Sequence, residues 1–322
     1  NYRNARAAAG IGSILAAAAA VVSGAPEAAG ALAAGVQTSA TRRFFAHTRA
    51  EENAADQTAL RYMTSAGIDP IGMLDVLNLF RGQELLSTSR RDVYARTHPL
   101  SRDRFRVVEQ AANANAGKFT HNENSRYWFM RAKSKLSAFQ RAPKWTLTRA
   151  GESGYADVKA MRQAVAHHRQ SQTGKAIEYM QRAIAERPND PYYYELFGQI
   201  LFESRRFDAA VDAYAKAAEG APRNALILGS YGRALLVTGK TREALELLEK
   251  SRARDGRDGR VLRDMALAYA KLGNNGMASV VTAERHAMFN RYADARIHAK
   301  RAITLLPDGS AGWRRAQDVL IV

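Results

Sequence analysis

Small residues recur at a fixed spacing of 34 through the C-terminal half of the chain, and this repetition constrains the fold more than any other feature. Ala176, Ala210, Ala244 and Ala278 form one such series, and Ala164, Gly198, Gly232 and Ala266 form another. Ala183 with Ala217 and Pro188 with Pro222 keep the same offset. A period in this range means a stack of identical supersecondary units, each too small to bury its own apolar face and dependent on its neighbours for a core. Small side chains at fixed positions let neighbouring elements approach closely, and a proline stops a helix.

The pattern resembles the tetratricopeptide repeat. It predicts helix pairs at about 156 to 188, 190 to 222, 224 to 255 and 258 to 289, then a helix at 291 to 306 ending at Pro307 and a capping segment around Trp313. Later the register drifts: Ser251 and Gly256 stand where small and proline residues stood before, and Ala295, Ala299, Ala302 and Pro307 restart the second-helix pattern 17 residues after Ala278. Seventeen is half a repeat, so an odd helix is expected. Inner-face positions of the first helices are Val158, Met161 and Val165, then Tyr192, Glu195, Gln199 and Phe202, which would bind a client segment or pack against the first domain.

Upstream the chain reads differently. Ala7 to Pro26 is an uncharged, Ala-rich run broken by Gly10, Gly12 and Gly24. Its length permits a spanning helix. The Gly24-Ala25-Pro26 turn favours a helical hairpin touching protein or a membrane surface. Residues 41 to 67 predict a long helix with Phe45, Ala55, Leu60 and Met63 as apolar contacts and Gly67 as its stop, followed after Asp69-Pro70 by a helix carrying Met73, Leu74, Val76, Leu77, Leu79 and Phe80. On the first of these, Glu52 and Asp56 are four apart and share a face. Taken alone they read as solvated carboxylates near Arg49.

Their setting changes that reading. Arg49-x-x-Glu52-Asn53-Ala54-Ala55-Asp56, Gly67-x-Asp69-Pro70, Thr97-His98-Pro99 and Arg104 together resemble the zinc metallopeptidases related to the CAAX prenyl endopeptidase, especially the periplasmic branch that carries C-terminal tetratricopeptide repeats. In that family a helical His-Glu-x-x-His supplies two zinc ligands and the general base. The third ligand is a Glu four residues before an Asp that supports a zinc histidine. The resemblance therefore implies Glu52 as a metal ligand, with Asp56, His98 and Arg104 as catalytic-site residues. It implies one Zn²⁺, which needs two upstream histidines, because no His-Glu-x-x-His occurs anywhere in the sequence. The family places that helix ahead of the Ala-rich run, so it is expected before Asn1, and the chain by itself is expected to be inactive. The absence of cysteine leaves metal binding to His and carboxylates.

Between the two regions, residues 116 to 150 hold eight basic side chains against one acidic, together with Phe119, Tyr127, Trp128, Phe129, Phe139 and Trp145. The stripe Trp128, Ala132, Leu136 and Phe139 predicts a buried face on a connecting helix from Tyr127 to Gln140. Contact with an anionic surface is the competing reading. The net charge of +17 speaks to non-specific association and not to a nucleic-acid site.

The expected fold is all-α, a helical remnant of a zinc metallopeptidase domain (1–115), a basic aromatic connector helix (116–150) and a tetratricopeptide-repeat α-solenoid (151–322). The expected function is a zinc-dependent endopeptidase in membrane-associated or periplasmic protein quality control. Its repeats would bind protein substrates and partners, with membrane-surface contact and no specific nucleic-acid partner. The alternative is a non-catalytic scaffold that binds protein partners through the repeats.

Overall fold

A computed structural model describes residues 50–81, 102–119 and 122–321. Chain contacts divide it into two units, Asn1–Asn122 and Glu123–Val322. All regular structure among the described residues is helical. The Ala-rich run and His98 lie outside the described residues.

In the first unit, α1 is described from residue 50 to 65. It stops at Gly67, where the Ile68 N–H reaches back to the Met63 carbonyl at 2.8 Å and the Gly67 N–H to that of Thr64, a closure that satisfies the last carbonyls of a helix. Asp69 then starts α2 (Ile71–Leu79), its Oδ1 accepting the Ile71 N–H at 2.9 Å. α3 (Arg102–Ala114) completes the described part. Leu60 of α1, Leu74 and Leu77 of α2, and Val108 and Ala112 of α3 form a small common core. The expected contacts at Leu60, Leu74 and Leu77 are buried, whereas Ala55, Val76 and Leu79 face outward.

The second unit begins with α4 (Glu123–Gln140), a short α5 (Pro143–Thr148) and a 3-10 turn (Ala150–Ser153). The repeats follow as α6 (Ala156–Arg169) with α7 (Thr173–Glu186), α8 (Pro191–Glu203) with α9 (Phe207–Gly220), α10 (Ala225–Val237) with α11 (Thr241–Arg254), and α12 (Gly259–Lys271) with α13 (Asn275–Met288). α14 (Tyr292–Leu305) and α15 (Ala311–Ile321) end the stack.

The 34-residue period is written into the backbone as well as the side chains. The turns within the four helix pairs each contain one residue of positive φ, at Ser171 (58°), Arg205 (60°), Gly239 (85°) and Gly273 (78°), each 34 from the next. The first helices of the second, third and fourth pairs start at Asp190, Asn224 and Asp258, also 34 apart, and each side chain accepts a backbone N–H of the first turn. Such caps satisfy donors that the helix leaves open.

Small residues sit where helices cross. A Cβ on Gly198 would lie 2.8 Å from the Tyr214 ring, and one on Gly232 would lie 2.8 Å from Leu248 and 3.0 Å from the Ala244 carbonyl oxygen. Ser251, where the register drifts, fits because its Oγ donates to the Ala225 carbonyl at 2.8 Å. The core runs from Met161, Met180 and Leu196 through Leu235, Leu248 and Met265 to Val280 and Ala299. Each fully buried Leu, Ile or Met in it contributes roughly 1.5 to 3 kcal/mol.

The expected odd helix is present. α13 packs on α12 before it and on α14 after it, and the turn into α14 has its positive-φ residue at Asn290, 17 after Gly273. Thus α13 closes the fourth pair and also opens a further one, and Ala316 of α15 covers Val280, Ala283, Ala299 and Ala302.

The connector stripe differs from expectation. The buried face of α4 is Tyr127, Arg131, Ser134 and Ala138, while Trp128 is 41%, Phe129 63% and Leu136 59% exposed. The helix is turned because carboxylates on other elements give Tyr127 and Arg131 partners in the interior.

Candidate functional site

In the first unit the two carboxylates of α1 meet one cation from α3. Arg104 Nε donates to Asp56 Oδ2 at 2.6 Å and Nη2 to Asp56 Oδ1 at 2.9 Å. Its Nη1 lies 3.0 Å from Glu52 Oε2. Arg104 and Asp56 are buried, and the Glu52 side chain is nearly so. Glu52 and Asp56, one turn apart, would repel each other in the interior. The planar guanidinium matches a carboxylate with two parallel N–H donors and has a further donor for a second one.

α3 is built to bring Arg104 there. Arg104, Val108 and Ala112 are its buried residues, a stripe of spacing four in which the guanidinium continues the apolar face. An arginine on such a stripe is the signal that it meets buried acid, since an unpaired buried charge is too costly.

The structure therefore brings together Glu52, Asp56 and Arg104 of the expected site residues, and His98 lies outside the described residues. A catalytic zinc needs three protein ligands and an open position. Among the described residues no group of three or more His, Asp or Glu could hold a metal ion, and the Glu52 carboxylate faces a guanidinium. These residues do not by themselves fit a zinc ion. They make a preformed carboxylate pair of fixed orientation.

Two family models match the sequence. Residues 4–112 match peptidase family M48, and residues 201–268 match the tetratricopeptide repeat. The chain joins an M48 peptidase segment to tetratricopeptide repeats. The M48 match includes Glu52, Asp56, His98 and Arg104, and the repeat match runs from α8 into α12. No curated protein matches the chain. Two solved structures similar to it are titled "MamA MSR-1 C2" and "MamA RS-1 ArsTM double mutant". The first is 20% identical with a TM-score of 0.43, covering 52% of this chain and 98% of that one. The second is 13% identical with a TM-score of 0.44, covering 51% and 95%.

Within the repeat unit a second polar cluster went unread in the sequence. Asp157 of α6 accepts from the Tyr127 hydroxyl at 2.6 Å, the Tyr193 hydroxyl at 2.9 Å and Arg187 Nε at 2.8 Å. Arg131 of α4 forms a double hydrogen bond with Asp190, including Nη2 to Oδ1 at 2.7 Å, and lies 3.8 Å over the Tyr193 ring. Burial alone would raise the Asp157 pKa. The Tyr127 and Tyr193 hydroxyls, the Val158 N–H and Arg187 outweigh it and hold the carboxyl below its ordinary value. This network fastens α4 to the first repeats. The recurrence of Asp190 with Asn224 and Asp258 at 34 was its one legible trace.

Proposed function

We propose that this polypeptide is the carboxylate-bearing and repeat-bearing part of a zinc-dependent endopeptidase, with Glu52 as the metal-ligating carboxylate once a His-Glu-x-x-His helix is joined to it. The observation that carries this reading is the burial of Arg104 between Glu52 and Asp56, residues 48 or more positions away in sequence. A chain has no structural need for two interior carboxylates one turn apart, because replacing buried ion pairs by apolar side chains is commonly neutral or stabilising. A site that must present one carboxylate in a fixed place does need them.

In this reading Arg104 is a positioning residue. It occupies both oxygens of Asp56 along one edge and leaves their remaining lone pairs to accept an imidazole N–H, the contact by which a carboxylate fixes a ligating histidine. Zinc would supply Lewis-acid polarisation of the peptide carbonyl and an activated water. His98 would lie at the cleft. The repeats would hold protein substrates or partners, and the setting would be the periplasm, at a membrane surface, in protein quality control.

The scaffold reading has one observation in its favour, the tetratricopeptide-repeat match over residues 201–268. Casein hydrolysis by a polypeptide extending upstream through a His-Glu-x-x-His motif separates the two. Activity lost on chelation and restored by zinc supports the peptidase; repeat-dependent partner binding without hydrolysis supports the scaffold.

A further inference from the structure

Three arginines are buried among the described residues, and two of them have their acid: Arg104 pairs with Asp56 and Arg131 with Asp190. Arg162 of α6 does not. It is 4% exposed, yet its Nε has no hydrogen-bond partner among the described residues. Glu152 of the 3-10 turn acts on it through space without a hydrogen bond and pairs instead with Arg149 at 3.1 Å. Burial pushes the Arg162 pKa below its ordinary value, with Glu152 opposing the shift. A buried charge is costly unless it is paired, so this guanidinium calls for an anion.

The surroundings carry the same sign. Around the Trp145 indole of α5 stand three guanidinium groups, Arg149 at 5.1 Å, Arg141 at 5.7 Å and Arg162 at 5.8 Å from the ring centroid. They come from three segments, since Arg141 follows α4, Arg149 follows α5 and Arg162 belongs to α6. The face of an indole attracts a cation but does not neutralise one. With Glu152 as the paired acid, three positive charges stand against one negative. Thr146, the neighbour of Trp145 on α5, is fully buried, and its Oγ1 also has no partner among the described residues. α5 packs against α6, so two orphaned polar atoms lie on two helices in contact, where buried groups are ordinarily satisfied. Arg141 and Arg149 are exposed, which gives the cluster a face to solvent.

We propose that Arg162, with Arg141 and the Thr146 hydroxyl, binds a phosphate group at this corner of the repeat unit. Guanidinium N–H groups form charge-assisted hydrogen bonds with phosphate oxygens, and arginine suits that geometry better than lysine does. Charge selects a dianion, because two positive charges remain after Glu152 is counted. Shape agrees, since tetrahedrally placed oxygens accept donors arriving from several segments whereas a carboxylate takes them in one plane. The phosphate is either the free ion or the headgroup of an anionic lipid. The proposal is independent of the peptidase reading, because every residue in it belongs to the unit Glu123–Val322.

The test is isothermal titration calorimetry of the full chain with inorganic phosphate at constant ionic strength, alongside flotation with vesicles of phosphatidic acid in phosphatidylcholine or of phosphatidylcholine alone. Arg162→Met keeps an unbranched apolar stem, loses the charge and should weaken binding roughly tenfold or more. Thr146→Val should weaken it less. Arg242→Met, at an exposed position of α11, should change nothing. Phosphate should raise the thermal midpoint of the wild type and leave that of Arg162→Met where it was, and without phosphate the variant should be at least as stable as the wild type, because an unpaired buried charge has gone. Arg162-dependent binding of the free ion alone assigns phosphate as the ligand, and Arg162-dependent flotation alone assigns a lipid headgroup. Absence of saturable binding in both arms, or an equal loss in Arg162→Met and Arg242→Met, would overturn the proposal.

Discussion

Arg104 grips Asp56 with two parallel hydrogen bonds, 2.6 and 2.9 Å long, from a helix 48 residues further along the chain. The same guanidinium reaches Glu52 at 3.0 Å, so one cation holds two interior carboxylates that would otherwise repel.

Removing that cation should unfasten the first unit. Arg104→Gln leaves Asp56 buried without its counter-charge, and breaking a buried pair from one side costs about 3 to 5 kcal/mol. Hydrogen exchange should speed up in α1 and α3 and stay unchanged in α8. Equal protection of α1 in both proteins would contradict the pairing.

The repeat turns predict opposite effects for exchanges between equivalent positions. Arg205 sits at φ 60° and Gly239 at φ 85°, a region that costs an L-residue about 1 to 2 kcal/mol. Arg205→Gly should gain up to about 1 kcal/mol after glycine's own entropy cost, and Gly239→Arg should lose about as much, though nothing lies within 4 Å of a Cβ there. Urea midpoints give the comparison; shifts of the same sign would contradict it.

Gly232 and Gly174 should also separate. A methyl at Gly232 meets the Ala244 carbonyl oxygen at 3.0 Å and Leu248 at 2.8 Å, and such overpacking costs about 1 to 3 kcal/mol. Gly174, near the start of α7, has open space around it, so Gly174→Ala should gain up to about 1 kcal/mol in helix propensity. Thermal midpoints should move in opposite directions.

These positions also mark what the sequence makes legible. Gly198, Gly232 and the alanine series report helix crossings directly, because a crossing tolerates only small side chains and the crossings recur with the period. The stripe on α4 was misread for a related reason. Apolar spacing reports which residues would be buried if apolarity alone decided, and it is blind to Asp157 and Asp190 on other elements, which make Tyr127 and Arg131 better interior residues than Trp128 and Leu136. At the candidate site, Glu52 and Asp56 were legible as neighbours on one face. The direct grip of Arg104 on both was not, although its place on the Val108–Ala112 stripe carried the signal.

The Asp157 cluster gives a dependence on pH. Its folded pKa lies below the ordinary aspartate value of 3.8, so the carboxylate's contribution is fully present above that value and is lost as pH falls through the folded pKa. Asp157→Asn should therefore lose stability relative to wild type at neutral pH, by about 1 to 3 kcal/mol, and the gap should close in strong acid. A gap constant from neutral to acid pH would mean that the charge contributes nothing.

The most direct test of the peptidase reading is zinc content by mass spectrometry in a polypeptide that carries both a His-Glu-x-x-His helix and these residues, comparing wild type with Glu52→Gln. The substitution keeps size and polarity and removes one anionic ligand of three. Near-stoichiometric zinc in wild type, loss of zinc in Glu52→Gln and loss of casein hydrolysis with an unchanged helical spectrum are expected. Full zinc occupancy and unchanged turnover in Glu52→Gln would remove Glu52 from the site and contradict the account.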